Sequence, residues 1–226
     1  MKYFIANWKA NKNLDESEAY LDLLTQNLSQ NQPVLNKLNG GELKIILAPP
    51  VLFLPQLKLK MKDIKKIELA AQDISQFEEG AYTGEVTAKT LAGLVNYAII
   101  GHSERREYFK EGEDILFKKA ELAKKYEINP IFCIRSSEDK FPPQINLLAY
   151  EPVSAIGTGN NENPNEVLKI KDQLNLNPTI AFIYGGSVSK ENAKSYLQTG
   201  KIDGFLIGQA SLDPLQFIGI INNSLS

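Results

Sequence analysis

The sequence predicts a (β/α)8 barrel, the α/β fold in which eight parallel strands alternate with helices and close into a cylinder. Eight short apolar runs recur along the 226 residues, which leaves about 28 residues for each strand and its helix. The runs are continuously apolar rather than alternating, which is typical of parallel strands covered on both faces. No low-complexity tract or shift in composition divides the chain. We therefore expect residues 1–226 to form one barrel domain.

The predicted strands are rich in β-branched and aromatic residues, which favour extended structure. Helical patterns separate most of them, as expected for parallel strands joined by crossover connections. The expected strand ranges are 3–6, 43–47, 67–71, 97–100, 130–133, 147–150, 179–184 and 204–207.

The first helix is expected to begin at Asp15. Glu18 follows three residues later, which is the spacing of a capping box. Leu21, Leu24 and Leu28 then recur at the interval that places apolar side chains on one face of a helix. This face is expected to pack against the barrel.

The later helices are predicted from periodicity and from capping residues. Amphipathic patterns indicate helices over 115–126 and 166–174, and Thr87 and Ser189 are expected to cap two more. Pro214 starts the last helix, because proline fits the first helical position without losing a hydrogen bond.

One repeating unit is short. The fifth strand is followed by residues 134–143, where the pair Pro142-Pro143 argues against a full helix. We expect a loop or a single turn there, and hence a barrel with a shortened βα unit after strand 5.

Composition excludes several classes of protein. Lys and Arg together number 25 against 27 for Asp and Glu, so the chain lacks the basic surplus of a nucleic-acid-binding protein. The single cysteine, Cys133, cannot form an intrachain disulfide, and no apolar run is long enough to cross a bilayer. One histidine and one cysteine leave no cluster with metal-ligand spacing. We expect a cytoplasmic protein without a metal, a nucleic-acid partner or a membrane partner.

Polar residues follow the predicted strands closely, at the end where a β/α barrel places its chemistry. Asn7 and Lys9 come after the first strand, His102 and Glu104 after the fourth, and Glu151 after the sixth. The carboxyl ends of all strands meet at one end of a barrel. These side chains are therefore expected to line a common site, where Lys9 either balances an anionic substrate or pairs with Glu104.

Two glycine-containing turns stand where barrels often bind phosphate, after the seventh and eighth strands. They are Gly185-Gly186-Ser187 and Gly208-Gln209. Glycine lets backbone N–H groups approach an anion, especially ahead of a helix. The turns predict a phosphate site, while a purely conformational role for the glycines is the alternative.

His102 and Glu151 are the candidates for acid–base chemistry. A helix that begins at His102, the one histidine of the chain, would keep the imidazole neutral and able to donate a hydrogen bond to an oxyanion. The alternative is a structural histidine. Glu151 precedes a glycine-rich stretch, 155–159, that is typical of a mobile lid, and a carboxylate dehydrated by a lid is a stronger base. The alternative is a solvated loop acid.

Taken in order, seven motifs resemble the triosephosphate isomerase family over essentially the whole chain. The resemblance implies a TIM barrel that interconverts dihydroxyacetone phosphate and D-glyceraldehyde 3-phosphate through an enediolate, without cofactor or metal, in glycolysis and gluconeogenesis. The motifs are Ala6-Asn7-Trp8-Lys9, Gly80-Ala81-Tyr82-Thr83-Gly84-Glu85, Ile100-Gly101-His102-Ser103-Glu104-Arg105-Arg106, Ala149-Tyr150-Glu151-Pro152-Val153, Ala155-Ile156-Gly157-Thr158-Gly159, Tyr184-Gly185-Gly186-Ser187-Val188 and Asp203-Gly204-Phe205.

The resemblance also implies a role for each matching residue. Glu151 is the base, His102 polarises the carbonyl and moves protons among the enediolate oxygens, and Lys9 stabilises negative charge. Asn7 positions the substrate, and Glu104 lies beneath Lys9. Ile156 and Leu206 cover Glu151, and Tyr184 with Ser187 forms a latch for the closed lid. The phosphate is held by backbone groups of Gly157, Ser187, Gly208 and Gln209.

A homodimer is implied as well. In the family the loop after the third strand projects into a second subunit, and here it corresponds to 72–85, with Gln72 and Glu85 at its ends and Thr83 near its tip.

The chain departs from the family pattern at a few positions. Cys133-Ile134-Arg135-Ser136 stands where Cys-Ile-Gly-Glu is usual, Ser154 replaces a lid tryptophan, and 160–162 replaces a Lys-Thr-Ala hinge. Gln209 replaces glycine, so its backbone donor is retained and its side chain must point away from the phosphate.

Two other functions are alternatives to an isomerase of trioses. A barrel acting on a larger sugar phosphate is disfavoured by the short lid and the small apolar cover. A barrel that binds phosphorylated ligands or a protein partner without turnover is favoured by Ser154 and Gln209. It is disfavoured by the presence of Lys9, His102 and Glu151 together.

Overall fold

The chain folds into a closed barrel of eight parallel strands in the computed structural model, which describes residues 1–62, 64, 66–152 and 162–225. Each strand pairs with its neighbours in sequence, and the first pairs with the last. The predicted (β/α)8 fold is therefore confirmed. The strands are β1 (Lys2–Asn7), β2 (Leu43–Ala48), β3 (Ile67–Ala71), β4 (Tyr97–Ile100), β5 (Asn129–Ile134), β6 (Leu147–Tyr150), β7 (Ala181–Tyr184) and β8 (Gly204–Ile207).

Helices follow most of the strands and lie outside the barrel. None of the helices in the described part of the chain is long and apolar enough to cross a membrane. Their bounds are α1 (Leu14–Ser29), α2 (Gln32–Asn39), α3 (Leu54–Lys60), α4 (Ala88–Leu91), α5 (Ser103–Tyr108), α6 (Glu113–Lys125), α7 (Pro164–Leu174), α8 (Ala193–Leu197) and α9 (Pro214–Leu225).

The strands bury both of their faces, which explains their continuous hydrophobicity. In β1, Ile5 belongs to the cluster of side chains that fills the barrel, whereas Phe4 and Ala6 belong to the larger cluster between the strands and the helices. Successive side chains of a strand point to opposite faces, so both faces have to be apolar. Cys133 lies in the inner cluster, fully buried and unpaired.

Glycine is required where the barrel closes between β1 and β8. Gly204 has φ +144°, and a Cβ atom there would lie 1.9 Å from the carbonyl oxygen of Tyr3, its partner in the register. No other residue fits this close approach of two backbones.

The helix starts confirm some predicted caps and correct others. Thr87 caps α4 and Pro214 begins α9, as predicted. The capping box of α1 is formed by Asn13 and Glu16, so its assignment to Asp15 and Glu18 was wrong. Each member of the observed box bonds the backbone N–H of the other, at 2.9 and 2.8 Å.

Ser189 also differs from expectation. Helix α8 begins at Ala193, and the Ser189 hydroxyl accepts a hydrogen bond from the N–H of Glu191 in the turn before it. Its assignment as the helix cap was wrong, because the serine stabilises that turn instead.

The connection between β5 and β6 contains no helix, as the proline pair predicted. Asp139 takes the place of helical hydrogen bonds. Its carboxylate accepts from the backbone N–H of Arg135 at 2.8 Å and from the Arg135 guanidinium at 3.2 Å. A single side chain, that of Asp139, therefore stabilises the short connection between β5 and β6.

Candidate active site

A cavity of about 790 Å³ opens at the carboxyl ends of the strands, at the end of the barrel where the sequence places its polar residues. The predicted residues that line it are Asn7, Lys9, His102, Glu151, Ser187, Leu206, Gly208 and Gln209. Gly157 and Ile156 lie outside the described residues.

The turn after β1 holds Lys9 in an unusual backbone conformation. Lys9 has φ +53°, and its N–H donates to the side-chain oxygen of buried Asn7 at 3.1 Å. Gln72 donates at 2.8 Å to the carbonyl oxygens of both Lys9 and Ala48. A residue other than glycine is strained in the left-handed conformation. The hydrogen bonds with Asn7 and Gln72 hold Lys9 in that conformation.

The side chain of Lys9 pairs with Glu104, which is one of the two roles expected for it. Its ammonium forms an ion pair with Glu104 at 2.5 Å, and the residue also lines the cavity. A cation there is available to an anionic ligand while Glu104 fixes its direction.

His102 caps helix α5 through its ring. The Nδ1 atom accepts a hydrogen bond from the backbone N–H of Glu104 at 3.3 Å, so Nδ1 carries no proton. A ring that accepts at Nδ1 has its N–H proton on Nε2. This proton is directed at Glu151, whose Oε1 lies 3.1 Å from Nε2.

Glu151 is only 1% exposed, which contradicts the alternative of a solvated loop acid. Besides the contact with His102, its Oε2 accepts a hydrogen bond from the backbone N–H of Ser103 at 2.9 Å. Buried carboxylates need such donors, because burial without them is costly. His102, which caps α5, and Ser103, its first residue, therefore satisfy both oxygens of the candidate base.

The glycine pair after β7 packs against this site. A Cβ atom on Gly185 would lie 2.8 Å from Cγ of Glu151, and one on Gly186 would lie 2.1 Å from the hydroxyl of Tyr184. Neither glycine has a positive φ. Close packing, rather than a special turn conformation, therefore requires glycine at both positions.

The turn after β8 approaches from the other side. A Cβ atom on Gly208 would lie 3.4 Å from Cε of Lys9, and Gln209 begins a short 3₁₀ turn. The exposed Gln209 side chain is at the rim of the cavity.

The remaining predicted residues lie around the site. Tyr184 is fully buried beneath Gly186, and its hydroxyl accepts the N–H of Glu162 at 3.0 Å. Gln72 supports Lys9 of its own chain. Thr83 is exposed, and Glu85 accepts a hydrogen bond from Ser75.

Sequence reasoning missed Arg106 as a supporting residue and missed the contact of Gln72 with Lys9. Buried Arg106 donates at 2.8 Å to the carbonyl oxygens of Gly101 and Cys133, and so ties the ends of β4 and β5 together behind His102. Gln72 supports the Lys9 turn from a distance of 63 residues along the chain. The arginine pair after His102 was a visible signal for Arg106, whereas nothing in the sequence joins Gln72 to Lys9.

The fold and the site define an enzyme of the (β/α)8-barrel class. The sequence model of the triosephosphate isomerase family matches residues 2–224. Triosephosphate isomerase of Mesomycoplasma hyopneumoniae strain 7448 is 36% identical over 250 residues and 99% of each chain, and that of Mesomycoplasma hyorhinis is 37% identical over 242 residues and 96% of each. The enzyme of Dictyoglomus turgidum is 34% identical, over 98% of this chain and 99% of its own. The chain belongs to the triosephosphate isomerase family and is an isomerase.

Proposed function

We propose that this protein interconverts dihydroxyacetone phosphate and D-glyceraldehyde 3-phosphate through an enediolate, in the cytoplasm and as a step of glycolysis and gluconeogenesis. Glu151 is the base and neutral His102 the electrophile. The observation that carries the proposal is the 3.1 Å contact between Glu151 Oε1 and His102 Nε2 in a cavity that Lys9 also lines.

The reaction is a proton transfer between adjacent carbons. Glu151 removes a proton from the carbon next to the substrate carbonyl, while the N–H of His102 donates a hydrogen bond to the carbonyl oxygen. The proton held by Glu151 then returns to the neighbouring carbon, which was the carbonyl carbon. His102 transfers the hydroxyl proton between the two oxygens, so that no proton is gained or lost.

The neutral tautomer of His102 suits this role. A ring that accepts from Glu104 at Nδ1 presents one proton at Nε2, on the side of the cavity. For catalysis Glu151 has to exchange its bond with that N–H for the substrate carbon, because the carbonyl oxygen needs the same donor. The Lys9 ammonium stabilises the negative charge of the enediolate.

The phosphate group is assigned to the backbone of Ser187, Gly208 and Gln209. These residues line the cavity next to Lys9, whose cation attracts an anion to the same place. Residues 153–161, which include Gly157, lie outside the described chain.

A homodimer is part of the proposal. Apolar side chains are exposed around the loop 72–85, among them Val51, Tyr82 and Phe109 at 40%, 43% and 64%. The rings of Phe77 and Tyr82 stack at 3.8 Å between centroids within that loop. Exposed apolar surface of this kind marks a protein interface, and a second copy of the chain would cover it.

The test is isomerisation of D-glyceraldehyde 3-phosphate in a coupled assay with a metal chelator present, beside the Glu151→Gln variant. We expect chelator-resistant turnover in the wild type and loss of it in the variant, which keeps the size of the side chain but cannot act as a base. Wild-type-like turnover by the variant would exclude Glu151 as the base.

Two outcomes would replace the proposed reaction. A folded wild type that binds phosphoglycolate without turnover would be a binding protein. Faster turnover of longer phosphosugars than of trioses would move the protein to a different substrate class.

A further inference from the structure

Three buried tyrosines surround Glu162, the residue at which the described chain resumes after residue 152. Tyr150 donates from its hydroxyl to the Glu162 carboxylate, at 3.1 Å to Oε2, and Tyr184 accepts the backbone N–H of Glu162 at 3.0 Å. Tyr196 donates to the backbone carbonyl of Glu162. The side chain and both backbone groups of Glu162 are thus bonded to tyrosines of β6, β7 and α8, which we call the tyrosine clamp.

The tyrosines of the clamp are buried, whereas Glu162 is partly exposed. Tyr184 and Tyr196 are fully buried and their rings stack at 4.6 Å, while Tyr150 is 4% exposed. Burial, and then the neighbouring Glu162 charge, raise the pKa of Tyr150, so its hydroxyl keeps the proton that it donates. A hydrogen bond from a neutral hydroxyl to a carboxylate is among the stronger bonds in proteins, especially away from water.

Tyr150 connects the clamp to the candidate base. Tyr150 directly precedes Glu151, so both residues lie at the carboxyl end of β6. Their side chains point to opposite faces, because successive side chains of a strand alternate. The Tyr150 carbonyl accepts the N–H of Gly185 at 2.7 Å, and Gly185 in turn packs against Cγ of Glu151. Any shift of Tyr150 is therefore passed to Glu151 along two routes, the peptide bond and Gly185.

We propose that the Glu162 carboxylate is a positioning residue for the reaction, which through its hydrogen bond with the Tyr150 hydroxyl holds the carboxyl end of β6 and so the direction of Glu151. This inference rests on the proposed function, because it takes Glu151 as the base. The carboxylate is the essential part, since the bonds to Tyr184 and Tyr196 use only the backbone of Glu162.

The experiment compares Tyr150→Phe, Glu162→Ala, the double variant and Glu162→Gln. Each of the first two removes the same hydrogen bond from one side. We expect each to lower kcat by about 10-fold, less than the roughly 10²-fold cost of a 1 Å misplacement, with KM changed by less than about 2-fold. The double variant should be no slower than the slower single variant, because the two side chains act as one unit.

Glu162→Gln should recover most of the activity, because its amide oxygen still accepts the Tyr150 hydroxyl. The control is Glu166→Ala on α7, an exposed glutamate paired with Lys169 at 2.7 Å, which should leave kcat unchanged. Inhibition by phosphoglycolate should be the same in all variants, since the phosphate-binding backbone is not altered.

The outcomes separate the inference from the function on which it rests. An inactive wild type would refute the proposed function. An active wild type with unchanged kcat in folded Tyr150→Phe, or with effects that multiply in the double variant, would overturn the positioning role. A rise in KM with kcat unchanged would also overturn it, because that would place the effect on binding.

Discussion

The candidate base occupies a space that the missing side chain of Gly185 leaves open. A Cβ atom at this position would approach Cγ of Glu151 to 2.8 Å, closer than real side chains tolerate. Interiors are packed too densely to absorb such an overlap without a shift of one partner. Gly185 therefore sets the position of Glu151 as directly as the two N–H donors do.

Gly185→Ala is expected to lower kcat by at least about 10-fold, because it displaces the carboxylate by a fraction of the 1 Å that costs roughly 10²-fold. The matched control is Gly219→Ala in α9, where the nearest atom to an added Cβ is Lys190 Cδ at 4.0 Å. Steady-state kinetics on both variants checks this. Equal kcat values for the two would show that Glu151 is not held by the glycine.

The sequence predicts the residues of the site better than their partners. Asn7, His102 and Glu151 each stand just past an apolar run, so the fold alone brings them to one end of the barrel. Their hydrogen bonds depend on backbone direction at the turn and on distant residues. The local sequence pattern predicts neither the hydrogen bond from the Ser103 N–H to Glu151 nor the one from the Gln72 amide to Lys9.

At the scale of the elements, strands were predicted closely and helix starts less so. Every residue of a buried strand contributes to its prediction, whereas a helix cap depends on the backbone angles of a single residue. Two overlapping pairs at the start of α1 have the spacing of a capping box, Asn13 with Glu16 and Asp15 with Glu18. Asn13 is the residue with extended backbone, at φ −101° and ψ −174°, so it accepts the free N–H groups.

Asn13→Ala is expected to destabilise the protein by about 1 kcal/mol through the loss of this cap. Asp15→Ala should cost only about 0.3 kcal/mol, since an acid in the first turn interacts with the helix dipole without capping it. Urea denaturation of both variants measures the difference. A larger loss for Asp15→Ala would restore the box that the sequence pattern favoured.

The loop that replaces a helix after β5 makes a prediction about pH. Burial alone would raise the pKa of Asp139, but hydrogen bonds from Arg135 outweigh it and lower the pKa below 3.8. A carboxylate with a lowered pKa stabilises the folded state above its unfolded pKa, and this stability is lost as the pH falls through the folded value.

Asp139→Asn should therefore destabilise the protein at pH 7, with the difference from wild type shrinking as the pH falls below about 4, the usual pKa of an unfolded aspartate. The free energy of unfolding, measured for both proteins across this range, checks the sign. A difference that stays constant with pH would mean that the charge of Asp139 does not stabilise the loop.

At the scale of the whole molecule, closure of the barrel joins the two ends of the chain. Strand β1 pairs with β8, and α1 packs against α9. We propose that residues 1–226 fold as one domain on this basis. The periodic alternation of strands and helices was sufficient to predict the closed barrel, because eight units of this length have few other ways to cover both faces of a parallel sheet. A surface that packs against a second copy of the chain produces no such repeating pattern in the sequence.

The proposed dimer is tested at the tip of the loop 72–85. Thr83 is exposed there, near the stacked rings of Phe77 and Tyr82. Thr83→Arg introduces a charge and a long side chain into the proposed interface, where an unpaired buried charge is strongly unfavourable. We expect light scattering to give twice the 25.2 kDa chain mass for the wild type and the single-chain mass for the variant.

Thr179→Arg is the matched control, because Thr179 is an exposed threonine that precedes β7 at the opposite end of the barrel. It should leave the mass at that of the wild type. If dissociation of the dimer frees the Lys9 turn, the Thr83→Arg monomer should also lose activity, since a strained left-handed Lys9 persists only where its surroundings hold it. A fully active monomer would show that Asn7 and Gln72 of the same chain hold the turn without a partner, and a dimeric Thr83→Arg protein would place the interface elsewhere.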